Sequence, residues 1–429
     1  MSDDKARLQA FYLLDDIIQN KKYANLTLKN SLSNFDTRDK AFICALVYGT
    51  LDKMISIDYI ISLFAKGKIN SKIRNILRMG VYQILYLSKV PDNAAVSTSV
   101  DIAQKIGKGM LKGYINGVLR NVARNKNNIE YPKEKSRCLS VKYSYPEFFV
   151  KELIDDIGYS ECENFLKYDE NHKTCIRVDL NKADFKETKE KLSGSDSIYF
   201  DNCFYINGEP KLLKDGVCSV QSEASVAVVK ALSPQKGDEI LDCCAAPGGK
   251  TVYIASLMQE GSILAFDKHP HRVELIKNNA LRCSYDKIIK AETFDMLNIF
   301  SDKKFDKVLV DAPCSGMGVV GQKPEIKNSV TPEGFLELQS MQKKILQNAS
   351  LCVKKGGILV YSTCTIRKQE NILLIKEFLK NNKDFELCSL EGLFSEKFEK
   401  GRNLKKGYIQ LYPHKDLTDG FFIARMKKI

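Results

Sequence analysis

The sequence predicts a multidomain chain: an all-helical segment in front, a small α/β module in the middle, and a closing α/β domain with a mostly parallel sheet. Three observations carry that prediction. Apolar residues recur every three to four positions from the start to about Asn125, with nothing strand-like between them. The polar run Asn125 to Asn128, followed by Pro132, then reads as a linker. From about Gly216 onward, strand-like runs alternate with helical patterns. The predicted segments are 1–128, 129–215 and 216–429, and a chain of 429 residues is too long for a single core.

In the front segment Leu8, Phe11, Leu14 and Ile18 place an apolar stripe on one helix face, as do Ile73, Leu77, Val81, Ile84 and Leu85. Pro91 breaks the chain, and Asp92 or Asn93 is the predicted N-cap of a helix running through Ala103. Gly107, Gly109 and Gly113 mark the turn before a helix from Tyr114 to Arg124. The middle module is expected to hold helices around Pro146–Ile157 and Phe185–Leu192 and strands at Cys175–Leu180 and Ile198–Ile206. The last segment should contain strands Glu239–Cys243, Ser262–Asp267, Lys287–Ala291, Lys307–Asp311, Gly357–Ser362 and Gly420–Met426.

Composition narrows the class. No uninterrupted apolar run reaches membrane-span length, and Asp3, Asp4, Asp15 and Asp16 interrupt the first helical segment, so a soluble cytoplasmic protein is expected. The 13 cysteines are scattered, odd in number and lack a C-x-x-C pair, which points to free thiols and no structural metal. A net charge of +13 is compatible with a polyanionic partner, although a lysine-rich solvated surface explains it equally well.

The motifs are sharper. The segment Ile240 to Thr251 ends a hydrophobic strand in the small-residue loop Cys244-Ala245-Ala246-Pro247-Gly248-Gly249-Lys250 and opens a helix. Ligands of open α/β sheets bind at such carboxyl ends. The loop matches neither the P-loop nor G-x-G-x-x-G. Asp267 ends the next strand 18 residues past Gly249, where a carboxylate can accept bonds from both hydroxyls of a ribose, and Asp295 follows the third. Each acidic residue alone could be a solvated cap. Two further strand ends carry cysteines: Asp311-Ala312-Pro313-Cys314 and Ser362-Thr363-Cys364-Thr365. One cysteine after a buried strand is usually packing; two at one sheet edge call for chemistry.

These residues, from Leu241 to Thr365, resemble the RNA cytosine-5 methyltransferases in four motifs and in their order. The resemblance implies a Rossmann-like class I methyltransferase domain with a mostly parallel seven-stranded sheet, and S-adenosyl-L-methionine as cofactor. It implies further that Cys244 to Lys250 form the cofactor loop, that Asp267 holds the ribose and Asp295 the adenine, and that Asp311 serves the cytosine and the cofactor's edge. Cys364 would be the nucleophile and Cys314 would assist product release; spacing alone does not say which cysteine attacks. The chemistry fits, because carbon-5 of a pyrimidine becomes nucleophilic only after a thiolate adds to carbon-6. A carboxyl near ring nitrogen-3, for which Asp311 is the candidate, would favour that addition by hydrogen bonding or proton donation.

The front segment, with Val90-Pro91 and Lys112 to Arg120, is similar to the helical RNA-binding NusB domain, and the middle to a small RRM-like module. The whole chain thus resembles bacterial methyltransferases of small-subunit (16S) ribosomal RNA, which implies a monomer acting on naked or early-assembly RNA, away from membranes. Cys243 stands where that family has a bulky aliphatic residue, only Lys323 is basic in Val320 to Pro324, and the chain has no tryptophan for base stacking. Rival readings are a methyltransferase of DNA, tRNA or protein, and an RNA-binding factor with a decayed catalytic domain. The latter is disfavoured by the survival of Asp267, Asp295, Asp311, Cys314 and Cys364.

Overall fold

The computed structural model describes residues 2–168, 173–208, 216–300 and 303–429. Its contacts divide the chain into two units, Met1–Lys167 with Val320–Thr331, and Tyr168–Val319 with Pro332–Ile429. The sequence predicted three segments. Helices of residues 135–167, expected in the middle module, group with the helical unit, while the small sheet groups with the second. The boundary expected at 215 falls outside the described residues.

The first unit contains α1 (Ser2–Asn20), α2 (Ala24–Ser31), α3 (Thr37–Asp52), α4 (Met54–Phe64), α5 (Ser71–Tyr86), α6 (Asp92–Lys105), α7 (Lys112–Asn125), α8 (Lys135–Tyr143), α9 (Glu147–Ile157) and α10 (Tyr159–Lys167). The predicted stripes become its core: Phe11, Leu14, Ile73, Leu77 and Val81 are buried. Asp36 caps α3 by accepting from Asp39 N–H at 2.7 Å, and Asn70 caps α5 through Lys72 N–H at 3.0 Å. The expected cap of α6 shifts by one: Pro91 occupies the cap position and Asp92 begins the helix, where its charge suits the N-terminal dipole. The segment 320–331, though late in the chain, packs in this unit. There Asn328 Nδ2 donates to Leu51 O at 2.7 Å, and the buried Lys327 ammonium pairs with Asp52.

In the second unit β1 (Thr174–Val178), α11 (Phe185–Lys191), β2 (Ser195–Asp196), β3 (Cys203–Ile206) and β4 (Cys218–Val220) come first. Their strands form an antiparallel sheet in the order β2-β3-β1-β4. The strand predicted at Ile198–Ile206 starts only at Cys203, because Tyr199 N–H donates to the buried Glu223 carboxylate (2.7 Å) instead of to a neighbouring strand.

Then follow α12 (Glu223–Leu232), β5 (Glu239–Asp242), α13 (Gly249–Met258), β6 (Ser262–Asp267), α14 (Pro270–Arg282), β7 (Ile289–Thr293), β8 (Phe305–Asp311), α15 (Ile326–Ser329, in the first unit), α16 (Pro332–Leu351), β9 (Val353–Thr363), α17 (Ile372–Asn381), β10 (Phe385–Leu387), α18 (Glu396–Glu399), β11 (Tyr408–Gln410), α19 (Pro413–Asp416) and β12 (Phe422–Lys428). Among the described residues the sheet has eight strands where seven were expected, in the order β10-β12-β9-β8-β5-β6-β7 with β11 added on β12. The pairs from β7 to β9 are parallel, whereas β12 runs antiparallel to β9, β10 and β11. The short strands β10 and β11 lacked any alternation the sequence could show. The order in which strands are added reverses between the parallel neighbours β5 and β8, which opens the crevice in which such folds bind ligands.

Candidate active site

The loop expected to hold the cofactor is built by the backbone. After β5, Cys243 N–H bonds Leu309 O (2.9 Å), Ala245 N–H bonds Phe266 O (2.8 Å), and Gly248 N–H closes onto Ala245 O (2.7 Å). Gly248 has φ +101°, and a Cβ there would lie 3.1 Å from the Ile276 Cα, so only glycine suits both the turn and the close approach of α14. From α14, Arg272 Nη2 donates to Ala246 O (3.1 Å) and Asn279 Nδ2 to Pro247 O (2.7 Å), holding the loop open.

Asp267 ends β6 and Asp295 follows β7, while Asp242, which the sequence did not single out, ends β5. Asp242 is buried, takes one bond from Thr251 Oγ1 (2.7 Å), and leaves Oδ1 without a hydrogen-bond partner among the described residues. Burial, reinforced by the nearby Asp311 charge, pushes its carboxyl up to about 7. Asp267, 4% exposed, accepts from His269 N–H (3.0 Å) and faces Arg272 Nη1 at 3.2 Å. Asp295 accepts from Leu297 N–H (2.9 Å). A glycine turn beside three carboxylates, one with an orphaned buried oxygen, fits a cationic adenosine cofactor whose ribose keeps its 2′-hydroxyl.

One strand away, β8 and β9 deliver the other half. Their register sets Asp311 opposite Ser362. Ser362 Oγ donates to Asp311 Oδ1 (2.7 Å) and Lys250 Nζ to Asp311 Oδ2 (2.7 Å). Lys250 was expected in the cofactor loop; the structure makes it the link from that loop to the cysteines. Burial pulls its ammonium toward neutrality, but Asp311, Cys364 and Asp242 outweigh this and hold its pKa above the ordinary lysine value.

Cys314 and Cys364 meet with their Sγ atoms 3.3 Å apart, closer than spacing in the sequence could show. The contact with Cys364, then burial, then the Cys364 and Glu370 charges push the Cys314 thiol well above its usual range, so it stays protonated at neutral pH. Cys243 is buried in the core as expected, and burial also pushes the Cys244 thiol upward. The loops after β8 and β9 are bound by Gly318 N–H to Cys364 O (3.0 Å), and Gly420 N–H reaches Gly318 O (2.8 Å). A Cβ on Gly318 would sit 2.0 Å from Gly420 O, so the backbones cross only because both are glycines.

Sequence reasoning missed Ser362, Thr365, Gln342, Glu370 and Asn371. The hydroxyls in Ser362-Thr363-Cys364-Thr365 were a usable signal; Gln342, in the middle of α16, offered none.

Residues 229–427 match the family described as 16S rRNA methyltransferase RsmB/F, and residues 4–124 match the NusB family. A curated relative from Bacillus subtilis (strain 168), named probable ribosomal RNA small subunit methyltransferase B, is 36% identical, with 100% of both chains covered. One from Synechocystis sp. with the same name is 30% identical over 99% of each chain. The crystal structure of PH0851 superposes with a TM-score of 0.84 at 25% identity, over 99% of this chain and 98% of that one. The chain belongs to the RsmB/F family of S-adenosyl-L-methionine-dependent methyltransferases, preceded by a NusB-family segment.

Proposed function

We propose that the protein transfers a methyl group from S-adenosyl-L-methionine to carbon-5 of a cytosine in small-subunit (16S) ribosomal RNA, through a bond between Cys364 Sγ and carbon-6. The observation that carries the reading is the pair of thiols 3.3 Å apart at the ends of β8 and β9, beside the Lys250–Asp311 pair. The names of the curated relatives support the RNA class.

The cofactor supplies an electrophilic methyl group. The target base leaves its stack to reach the thiols. Cys364 adds to carbon-6 as its thiolate, and the ring's electron pair moves to carbon-5, which then takes the methyl group. An ion-paired carboxylate only accepts hydrogen bonds, so Asp311 suits the exocyclic amine, and the Lys250 ammonium supplies the donor that the ring's developing charge needs. Carbon-5 then loses its proton, that bond's pair re-forms the ring double bond, and the carbon–sulfur bond breaks with its pair returning to Cys364. Cys314 gives its proton to the departing Cys364 sulfur and takes up the one from carbon-5.

The cofactor contacts of Cys244 to Lys250, Asp267 and Asp295 belong to the same reading. So do a helical RNA-binding segment to about 128, a small module to about 215, and a cytoplasmic monomer acting on naked or early-assembly RNA. Among the described residues no helix is long and apolar enough to cross a membrane. Small-subunit RNA incubated with the protein and methyl-labelled cofactor, then digested to nucleosides, should carry the label as 5-methylcytidine. Label in another nucleoside, or none on any RNA, overturns the proposal.

A further inference from the structure

We infer that Glu370 and Gln342 are positioning residues that fix the distance between Cys314 and Cys364, an inference that rests on the reading of those two thiols as the groups that act on the base. Cys314 lies between two backbone groups held from outside its loop. Gln342 Nε2, from α16, donates to Pro313 O at 2.9 Å, and Glu370 Oε2 accepts from Ser315 N–H at 2.9 Å. The two side chains also bind each other, Gln342 Nε2 to Glu370 Oε2 at 2.8 Å. Both amide hydrogens of Gln342 therefore face acceptors, which fixes its orientation.

The neighbour of Glu370 holds the other cysteine. Asn371 Nδ2 donates to Thr365 O at 2.9 Å, and Thr363 Oγ1 donates to Asn371 Oδ1 at 2.6 Å, on either side of Cys364. Consecutive residues thus clasp the two loops, and Ser315 Oγ meets Thr365 Oγ1 at 2.8 Å between them. Tyr361 OH anchors the clasp by donating to Glu370 O (2.9 Å).

The carboxylate is an expensive choice. Glu370 is 0% exposed and its counter-ion Arg367, 2.9 Å away through Nη1, is 4% exposed and lies 3.6 Å from the centre of the Phe335 ring. Buried ion pairs seldom add net stability, because desolvation consumes the Coulombic gain. This one sets the carboxylate on the Ser315 N–H, next to Cys314, where its charge also favours the protonated thiol.

The test uses the full chain in the variants Glu370→Ala, Gln342→Leu and Glu370→Gln. Thiol spacing is read without RNA as the rate at which diamide, reduced to its hydrazine, oxidises Cys314 and Cys364 to a disulfide, mapped by peptide mass. Methyl transfer is read as kcat and as KM for the cofactor. Glu370→Ala and Gln342→Leu should each lower kcat and the disulfide rate about 10- to 100-fold, with cofactor KM within about twofold. Glu370→Gln should recover part of both relative to Glu370→Ala, since its amide oxygen can accept from Ser315 N–H and Gln342 as Oε2 does, while its NH2 group cannot accept from Arg367. Unchanged kcat and disulfide rate in Gln342→Leu overturn the inference, as does a loss of kcat matched by an equal loss of cofactor binding and melting temperature. Should Glu370→Ala fail to fold, Gln342→Leu and Glu370→Gln decide the matter. The disulfide rate needs no chemistry on RNA, so an active Cys364→Ala enzyme would sink the reading of the thiols and leave the spacing result standing.

Discussion

The two halves of the sheet edge are assembled by different means. On the β5–β7 side the carboxylates proposed to face the cofactor take their bonds from partners two to nine residues away, such as His269 N–H for Asp267, Leu297 N–H for Asp295 and Thr251 for Asp242, whose Oδ1 stays without a partner among the described residues. On the β8–β9 side the contacts around Cys314 and Asp311 span 28 to 61 residues of chain, with Gln342 bonding Glu370, Glu370 bonding Ser315, and Lys250 bonding Asp311, while Asn371 holds the residues flanking Cys364 from six and eight positions away. Carboxylates with local partners give a cleft that tolerates small losses one at a time. A long-range polar network gives accurate thiol placement, and each partner lost leaves another buried group unsatisfied.

The difference predicts how substitutions divide. Cys364→Ala should lower methyl transfer by about 10⁴-fold or more while leaving cofactor affinity near wild type, checked by single-turnover kinetics and calorimetric titration. Cys314→Ala should slow turnover by about 10²- to 10⁴-fold, and RNA should remain attached to the protein on denaturing gels. On the cofactor side Asp267→Ala should raise the cofactor KM about 10- to 100-fold with kcat little changed, the cost of charge-assisted bonds to a ribose. If Asp267→Ala instead lost kcat and kept its KM, the division between the halves would be wrong.

The remaining effect concerns pH and stability, not catalysis. Burial raises the Asp242 carboxyl from 3.8 to about 7, so the folded state holds a proton that the unfolded chain has released between those values. Stability without cofactor should therefore be full below about pH 4 for this group and fall as pH rises through 7, by a few kcal/mol at most. Comparing melting temperatures of the protein and Asp242→Asn from pH 5 to 8 isolates the effect: their difference should drift by several degrees. A constant difference contradicts it.

The same contrast explains what the sequence disclosed. Every strand of the parallel region was found, Ser262–Asp267 to the residue, because its buried interior strands are nearly continuous apolar runs; the edge strand Ile289–Thr293, with only Ile289 buried, was displaced by two. Asp267, Asp295 and Asp311 were legible because each ends or follows such a run, whereas Asp242 was not singled out. The Lys250–Asp311 pair and the Gln342–Glu370–Asn371 clasp were not, since contacts across 61 or 28 residues leave no periodic trace. The edge strands Phe385–Leu387 and Tyr408–Gln410 escaped for another reason: three residues are too few to show alternation. The segment 320–331 carried Lys327, a cation that the fold buries against Asp52 in the helical unit, a partner 275 residues away.

Covalent attack by Cys364 is tested most directly by incubating Cys314→Ala with small-subunit RNA and S-adenosyl-L-methionine, digesting the complex with nuclease and protease, and weighing the cross-linked peptide. The predicted product is the Cys364 peptide bearing one methylated cytidine nucleotide, absent from the Cys314→Ala/Cys364→Ala double variant. A nucleotide on any other residue, or undiminished methylation by Cys364→Ala alone, contradicts it.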